Sequence, residues 1–353
     1  MSCKVVKVEP LHPAAEAVRE AGKIIRSGGI VILPTETVYG AAANQQDAQA
    51  IERLARIKGR PSGKPFSLHI ADKEKLEEYA QEAPLAAYKL AEKFWPGPLT
   101  MVVNARAGGT VGIRMPDHKV ALAVIAEAQV PVALPSANKS GAAAPTDCAQ
   151  ALAQIGGGVD LALDAGPATL GKESTVVDLT VEPPKVLREG ALTKEEIEAA
   201  LRRKKVLFVC TGNSCRSVMA QFILQKILRQ KNRADVEVSS AGILPVSGLG
   251  ISAAARETLA REEGIDASSH RAQKVSAQMI RQADLVLVME RLHEGALREI
   301  APQAKNRVFL LREFAKIGGN DLDIVDPMGK GDDFYAQAYR LLKEAVERVA
   351  ELI

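Results

Sequence analysis

The chain has 353 residues, enough for two domains of ordinary size, and its apolar content of 47% suits a globular protein with a buried core. Residues 1–200 carry 22 Lys and Arg against 24 Asp and Glu, and residues 201–353 carry 24 against 19, so charge alone points neither half to nucleic acid. Met1-Ser2-Cys3-Lys4-Val5-Val6 lacks a signal-like apolar stretch, the apolar run 120–134 is broken by Glu127, Gln129 and Pro131, and four cysteines make no disulfide framework, so a cytoplasmic protein without a membrane span is expected.

In chain order, residues 29–33 form a short apolar run after a Gly-Gly turn and read as a buried strand ended by Pro34. Residues 48–57 place Ile51, Leu54 and Ala55 at helical spacing, and Gly59-Arg60-Pro61 should stop that helix. Residues 66–70 alternate like a strand, and residues 99–104, 130–134 and 174–179 read the same way. Gly- and Pro-rich loops lie between them, at Pro96-Gly97-Pro98, residues 140–145, Gly156-Gly157-Gly158 and Glu182-Pro183-Pro184. An α/β domain with many polar loops is expected over residues 1–200.

The seam falls at residues 190–204. Thr193-Lys194-Glu195-Glu196 is a capping box that opens a helix with Ile197, Ala200 and Leu201 on one face. Its basic end, Arg202-Arg203-Lys204-Lys205, suits the C-terminal helix dipole. A second domain over residues 204–353 starts with the apolar strand 206–209. Helix 217–230, strand 236–239, helix 251–263, strand 284–289, helix 291–299, strand 307–311 and a helix from residue 333 follow. Such alternation implies a doubly wound parallel sheet.

The first domain announces no catalytic dyad or metal cluster, but its polar segments fall at strand ends. They are Pro34-Thr35-Glu36-Thr37-Val38-Tyr39-Gly40, Gly112-Ile113-Arg114, Pro135-Ser136-Ala137-Asn138-Lys139-Ser140-Gly141, Glu173-Ser174-Thr175-Val176-Val177-Asp178 and Arg188-Glu189-Gly190. In Lys58-Gly59-Arg60-Pro61-Ser62-Gly63-Lys64-Pro65, cations crowd a rigid non-helical loop of the kind a triphosphate needs. The residues by themselves imply an anionic ligand, with a nucleotide among the options.

Taken in order, with Pro-Gly-Pro-Leu-Thr at 96–100 and Ile-Arg-Met-Pro at 113–116, these segments resemble the YrdC family of threonylcarbamoyl-AMP synthases across residues 10–200. The resemblance implies a twisted sheet with a concave, positively lined cavity. It implies that L-threonine, bicarbonate and ATP give threonylcarbamoyl-AMP and pyrophosphate, for modification of the adenosine next to certain tRNA anticodons. Lys58, Arg60 and Arg188 are then expected on the ATP phosphates, and Ser62, Thr110, Ser136 and Asn138 on the nucleotide. Thr35, His69, Arg114 and Ser174 fall where the family holds threonine, with Arg114 pairing a carboxylate. Mg2+ is expected with the ATP on chemical grounds. tRNA or tRNA-modification proteins are candidate partners. The rival reading is a nucleotide- or RNA-binding module without turnover. Some family members carry a further C-terminal domain, whose place is taken here by the second domain.

The second domain opens with Cys210-Thr211-Gly212-Asn213-Ser214-Cys215-Arg216-Ser217 between its first strand and a helix. A loop ending at a helix N-terminus points N–H groups at one spot and cradles an anion. Arg216 supplies a planar fork for phosphate oxygens, and the positive field makes Cys210 a thiolate able to attack phosphorus. Gly212 is expected to permit the tight path, Ser217 to hydrogen-bond the sulfur and Asn213 to brace the loop. Asp326, before Pro327, is the candidate proton donor to the leaving group.

With Ser-Ala-Gly at 240–242, Ala283-Asp284-Leu285-Val286-Leu287 and Asp326-Pro327, residues 204–353 resemble the low-molecular-weight protein-tyrosine-phosphatase family. Thr211, Ser214 and Cys215 complete the expected phosphate-binding loop of a phosphatase acting on phosphorylated protein. The small Ser214, and Met328-Gly329 in place of aromatic residues after Pro327, are closer to the protein-arginine-phosphatase branch than to phosphotyrosine enzymes. Cys215 is placed to form a reversible disulfide with Cys210; a small packing residue is the alternative reading.

Overall fold

The computed structural model of the chain describes residues 3–60, 66–319 and 321–353. They divide into two compact units, Met1–Ala200 and Leu201–Ile353.

In the first unit the described strands are β1 (Lys4–Lys7), β2 (Val31–Leu33), β3 (Gly40–Asn44), β4 (Leu68–His69), β5 (Leu99–Asn104), β6 (Thr110–Arg114), β7 (Val132–Ala133), β8 (Leu161–Asp164), β9 (Thr175–Asp178) and β10 (Lys185–Arg188). They form one mixed sheet in the order β1-β8-β2-β3-β7-β4-β6-β5-β9-β10. Two pairings place the site. Parallel β4 and β6 set Leu68 beside Ile113 and His69 beside Arg114. Parallel β5 and β9 set Leu99 beside Thr175 and Thr100 beside Val176.

The strand runs expected at 29–33, 66–70, 130–134 and 174–179 are shorter than expected, at Val31–Leu33, Leu68–His69, Val132–Ala133 and Thr175–Asp178, while 99–104 is a strand throughout. The sequence reading also missed elements. Gly40–Asn44 is built of small residues with weak strand preference, yet it is fully buried and paired on both sides, so packing decides its state. The apolar run after residue 119 is helix Lys119–Ala128, which packs Val120 and Val124 with Val18, Ala21 and Ile25 of helix Ala15–Arg26.

Helix Ala48–Lys58 is where the spacing put it. Asp47 caps its start, accepting from the Gln49 and Ala50 N–H groups, and Gly59 ends it with a left-handed φ of 60°. The chain therefore leaves the helix at Lys58 and delivers Arg60 to the strand-end side. Helix Lys194–Arg202 opens with the expected reciprocal cap: Thr193 N–H donates to Glu196, and Glu196 N–H donates to the Thr193 hydroxyl.

The second unit holds β11 (Lys204–Cys210), β12 (Val236–Gly242), β13 (Leu285–Val288) and β14 (Val308–Leu310), all parallel, in the order β12-β11-β13-β14. Alternate residues of β11 enter two separate cores. Val206 and Phe208 pack with Leu224 of helix Arg216–Gln230 and Leu342 of helix Asp332–Leu352. Leu207 and Val209 pack with Ile280 of helix Ala277–Gln282 and Leu297 of helix Arg291–Ile300. Helices thus cover both faces, and the sheet is doubly wound. Helix Ala277–Gln282 is an element that the sequence reading lacked. Among the described residues, no helix is long and apolar enough to cross a membrane.

Candidate active sites

In the second unit β11 ends at Cys210, and the loop climbs to helix Arg216–Gln230. No side chain caps that helix, so its first N–H groups are left to the loop. The buried Cys210 Sγ lies 3.0 Å from the Ser217 hydroxyl and accepts the Asn213 N–H at 3.3 Å. Asn213, rather than Gly212, takes the left-handed turn, with φ 50°. Its amide nitrogen donates to Ser217 and Ser240, its side-chain oxygen accepts the Gln273 N–H, and its carbonyl meets His270 at 2.8 Å. These bonds keep the turn in shape. A side chain at Gly242 would press on it, because a Cβ there would stand 2.7 Å from the Thr211 carbonyl oxygen.

Arg216 is 1% exposed, and its guanidinium is held from several sides. It donates to the Ile324 carbonyl at 2.7 Å and pairs with Glu290 at 2.8 Å and Asp326 at 2.6 Å. Its Nη2 also reaches the Thr211 hydroxyl at 3.3 Å. Asp326, 37% exposed, is therefore at the mouth of the loop beside the arginine. Ser214 is buried, and its carbonyl accepts the Ser252 N–H. The Cys215 thiol lies 2.9 Å from the Ser252 hydroxyl, with the Tyr335 hydroxyl beyond it.

The sequence reading missed two residues here. Glu290 and His293 sit after β13, at the carboxyl end of a strand next to β11, which is where ligands gather in such sheets. His293 is fully buried; burial first, then Arg216, push its pKa down to about 4, and it is neutral at pH 7.

In the first unit a cleft of about 320 Å³ is lined by Arg60, His69, Thr100, Thr110, Arg114, Ser136, Ser174 and Arg188, among others. Its floor carries the β4–β6 pair of His69 and Arg114. Arg114 is buried, donating through Nε to the Gly97 carbonyl at 3.2 Å and through Nη2 to Glu36 at 2.6 Å. Burial lowers its pKa and Glu36 opposes that fall, so the guanidinium stays charged. Glu36 lies in the turn Pro34-Thr35-Glu36-Thr37, and nothing in that local sequence signals its pairing with Arg114. Its second oxygen and His69 Nδ1 are buried without a hydrogen-bond partner among the described residues. Burial, and then the charge of Arg114, push the His69 pKa down to about 3.

Arg188 donates to the Ser174 carbonyl at 2.8 Å and pairs with Glu173, while the Ser174 hydroxyl meets that of Thr100 at 2.9 Å. Gly190 lets this segment approach: a Cβ there would stand 2.2 Å from the Glu173 carbonyl oxygen. Lys58 and Asn138 stand behind the cleft. The Lys58 ammonium donates to the Ser136 carbonyl at 2.5 Å and the Asn138 carbonyl at 2.7 Å, tying helix Ala48–Lys58 to the loop that carries Ser136. Burial, and then Arg60, push its pKa down to about 8. The Asn138 side chain bonds Ser136 and the Lys139 and Ala142 carbonyls. The Thr35 hydroxyl donates to the Val38 carbonyl at 2.6 Å and so shapes its own turn. Ser62 lies outside the described residues.

Residues 23–190 match the Sua5–YciO–YrdC family model, described as telomere recombination, and residues 205–353 match that of low molecular weight phosphotyrosine protein phosphatases. A relative from Mycobacterium tuberculosis (strain ATCC 25618 / H37Rv) is 39% identical over 186 residues, covering 50% of this chain and 85% of that one. The chain belongs to the Sua5–YciO–YrdC family. Fused to that domain is one of the low molecular weight phosphatase family.

The Pyrococcus abyssi (strain GE5 / Orsay) threonylcarbamoyl-AMP synthase is 42% identical to this Sua5-family chain over 206 residues, 56% of this chain. The crystal structure of P. abyssi Sua5 complexed with L-threonine matches with a TM-score of 0.54 at 26% identity, over 98% of each chain. By sequence, the chain spans 61% of the P. abyssi relative and 56% of the length of one from Bacillus subtilis.

Proposed function

We propose that the chain is a bifunctional enzyme: its first unit makes threonylcarbamoyl-AMP, and its second removes phosphate from protein. The synthase reading is carried by Arg114, a buried cation anchored by Glu36 on the floor of a cleft whose walls hold Arg60 and Arg188. A carboxylate and a triphosphate can both be gripped there. A threonine-bound relative of the same fold supports threonine as the first ligand, and the identity to the P. abyssi synthase supports the reaction. The threonine carboxylate pairs with Arg114, and its hydroxyl and amine meet His69, Ser174 and Thr35. The amine takes up bicarbonate with loss of water, and the resulting carbamate oxygen attacks the α-phosphorus of ATP. Pyrophosphate leaves, its charge met by Arg60 and Arg188, while Lys58 holds the Ser136 loop in place. Thr110 and Ser136, which line the cleft, meet the nucleotide, and Asn138 holds Ser136 from behind. Mg2+ belongs here to the ATP phosphates. The product then serves adenosine modification in tRNA, with tRNA or its modification proteins as partners.

In the second unit Cys210 attacks phosphorus, with Ser217 and the Asn213 N–H stabilising the sulfur anion. A phosphoryl group on Arg216 takes over the contact that Asp326 makes there, leaving Asp326 to protonate the leaving group. The same carboxylate then activates water against the cysteinyl phosphate. Arginine phosphate is favoured over tyrosine phosphate as substrate, because Ser214 and Met328-Gly329 offer no aromatic wall. The test is pyrophosphate release from ATP by purified protein with threonine and bicarbonate omitted in turn, beside kcat/KM for phosphoarginine and phosphotyrosine peptides. Release that needs both supports the synthase; release indifferent to threonine removes it. Equal turnover of the two peptides removes the arginine preference.

A further inference from the structure

We propose that His293 is a positioning residue of the phosphatase site, acting through Thr211, whose hydroxyl it makes a donor to the bound phosphoryl group. The inference rests on the phosphatase reading above.

The proton positions follow from the partners. The Glu290 backbone N–H can only donate, and it points at His293 Nδ1 from 3.1 Å. Nδ1 is therefore the bare nitrogen, and a neutral imidazole then carries its proton on Nε2. Nε2 lies 2.9 Å from the Thr211 hydroxyl oxygen and donates to it. Arg216 Nη2 donates to the same oxygen from 3.3 Å.

A hydroxyl has two lone pairs, and both are taken. The Thr211 proton is the group's one remaining hydrogen-bonding resource. Thr211 directly follows the nucleophile, and its hydroxyl stands at the Nη2 end of Arg216, the end that also meets Asp326. A phosphoryl group held there brings acceptor oxygens within its reach. Burial first, and then the charge of Arg216, keep the imidazole neutral. Arg216 disfavours a second proton, while Glu290, 3.7 Å from Nε2, and Asp326 act the other way. Burial is the larger of the two lowering effects, as His293 is 0% exposed.

The test uses the full chain, with inorganic phosphate affinity by titration calorimetry and p-nitrophenyl phosphate turnover as readouts. Thr211→Val should weaken phosphate binding and lower kcat/KM by about ten- to hundredfold, the loss of one donor to a charged acceptor, while Thr211→Ser stays close to wild type. His293→Leu should lower both about tenfold in the wild-type background and by less than about twofold beside Thr211→Val, since its effect runs through that hydroxyl. A purely structural histidine would cost the same in both backgrounds, and that result overturns the proposal, as does wild-type phosphate affinity in Thr211→Val. Should His293→Leu not fold, the two Thr211 variants still decide whether the hydroxyl donates. If the wild-type chain binds phosphate but turns nothing over, the phosphatase reading fails, and the Thr211→Val titration judges the inference separately.

Discussion

Arg114 in the first unit and Arg216 in the second are held in almost the same manner. Each is buried, each donates to a backbone carbonyl (Gly97 or Ile324), and each pairs with a carboxylate, Glu36 at 2.6 Å or Glu290 at 2.8 Å. A buried guanidinium without such a partner would be too costly to keep. The difference lies in the second carboxylate. Arg216 also holds Asp326, which is 37% exposed and can leave, whereas among the described residues Arg114 pairs with Glu36 alone, whose side chain is 8% exposed. On the proposed reading, Arg114 orients a substrate and is anchored from behind, while Arg216 also holds the acid that the phosphatase step would use.

The largest break in this comparison comes at the nucleophile. Cys210→Ser should abolish phosphate release from p-nitrophenyl phosphate while threonine-dependent pyrophosphate release continues. Asp326→Ala should slow turnover about 10²- to 10⁴-fold, the usual worth of a general acid. Wild-type phosphatase rates in either variant contradict the mechanism.

Next come the anchors. Glu36→Gln leaves Arg114 buried without a counter-charge and should cost about 3–5 kcal/mol of stability in the first unit, read from denaturant unfolding. In the protein that stays folded, KM for threonine should rise more than KM for ATP. A threonine KM at the wild-type value would show that Glu36 does not position Arg114.

The smallest effect is one of pH. Burial raises the Glu263 pKa, but hydrogen bonds from Lys226, Lys343 and Tyr339 outweigh it and bring it down to about 2. Its folded pKa is depressed, so its stabilisation is present above its unfolded value and is lost as pH falls through about 2. His293, depressed to about 4, acts in the same direction between its unfolded value and pH 4, because the unfolded chain binds the extra proton. Hydrogen exchange of the β11 and β13 amides should therefore quicken as pH-corrected stability falls below pH 6.5, with Glu263 contributing about 2–3 kcal/mol at the acid end. A Glu263→Gln chain should lack that last part, and an unchanged acid limb would argue against it.

How much of this could be read from the sequence follows from how local each feature is. The loop from Cys210 to Ser217 is one unbroken segment between a strand and a helix, so its residues and their order announce an anion site together. The left-handed turn at Asn213 was less legible, since Gly212 beside it is the residue that usually takes such a conformation. Glu36 and Arg114 are 78 residues apart and meet only because the sheet order brings their strand ends together. Glu290 and His293 were hidden in the same way, by a parallel sheet that sets the end of β13 beside the loop after β11. Small-residue strands such as Gly40–Asn44 carry no local strand signal, and their state is fixed by neighbours that a single sequence does not name.

The two-site account is tested most directly by a crossed assay of the two arginines. Arg114→Ala and Arg216→Ala chains are each measured for threonine- and bicarbonate-dependent pyrophosphate release and for p-nitrophenyl phosphate turnover. Arg114→Ala should lose the first activity and keep the second, and Arg216→Ala should do the reverse. An Arg114→Ala chain that still releases pyrophosphate at the wild-type rate, or an Arg216→Ala chain that still turns over p-nitrophenyl phosphate, would contradict it.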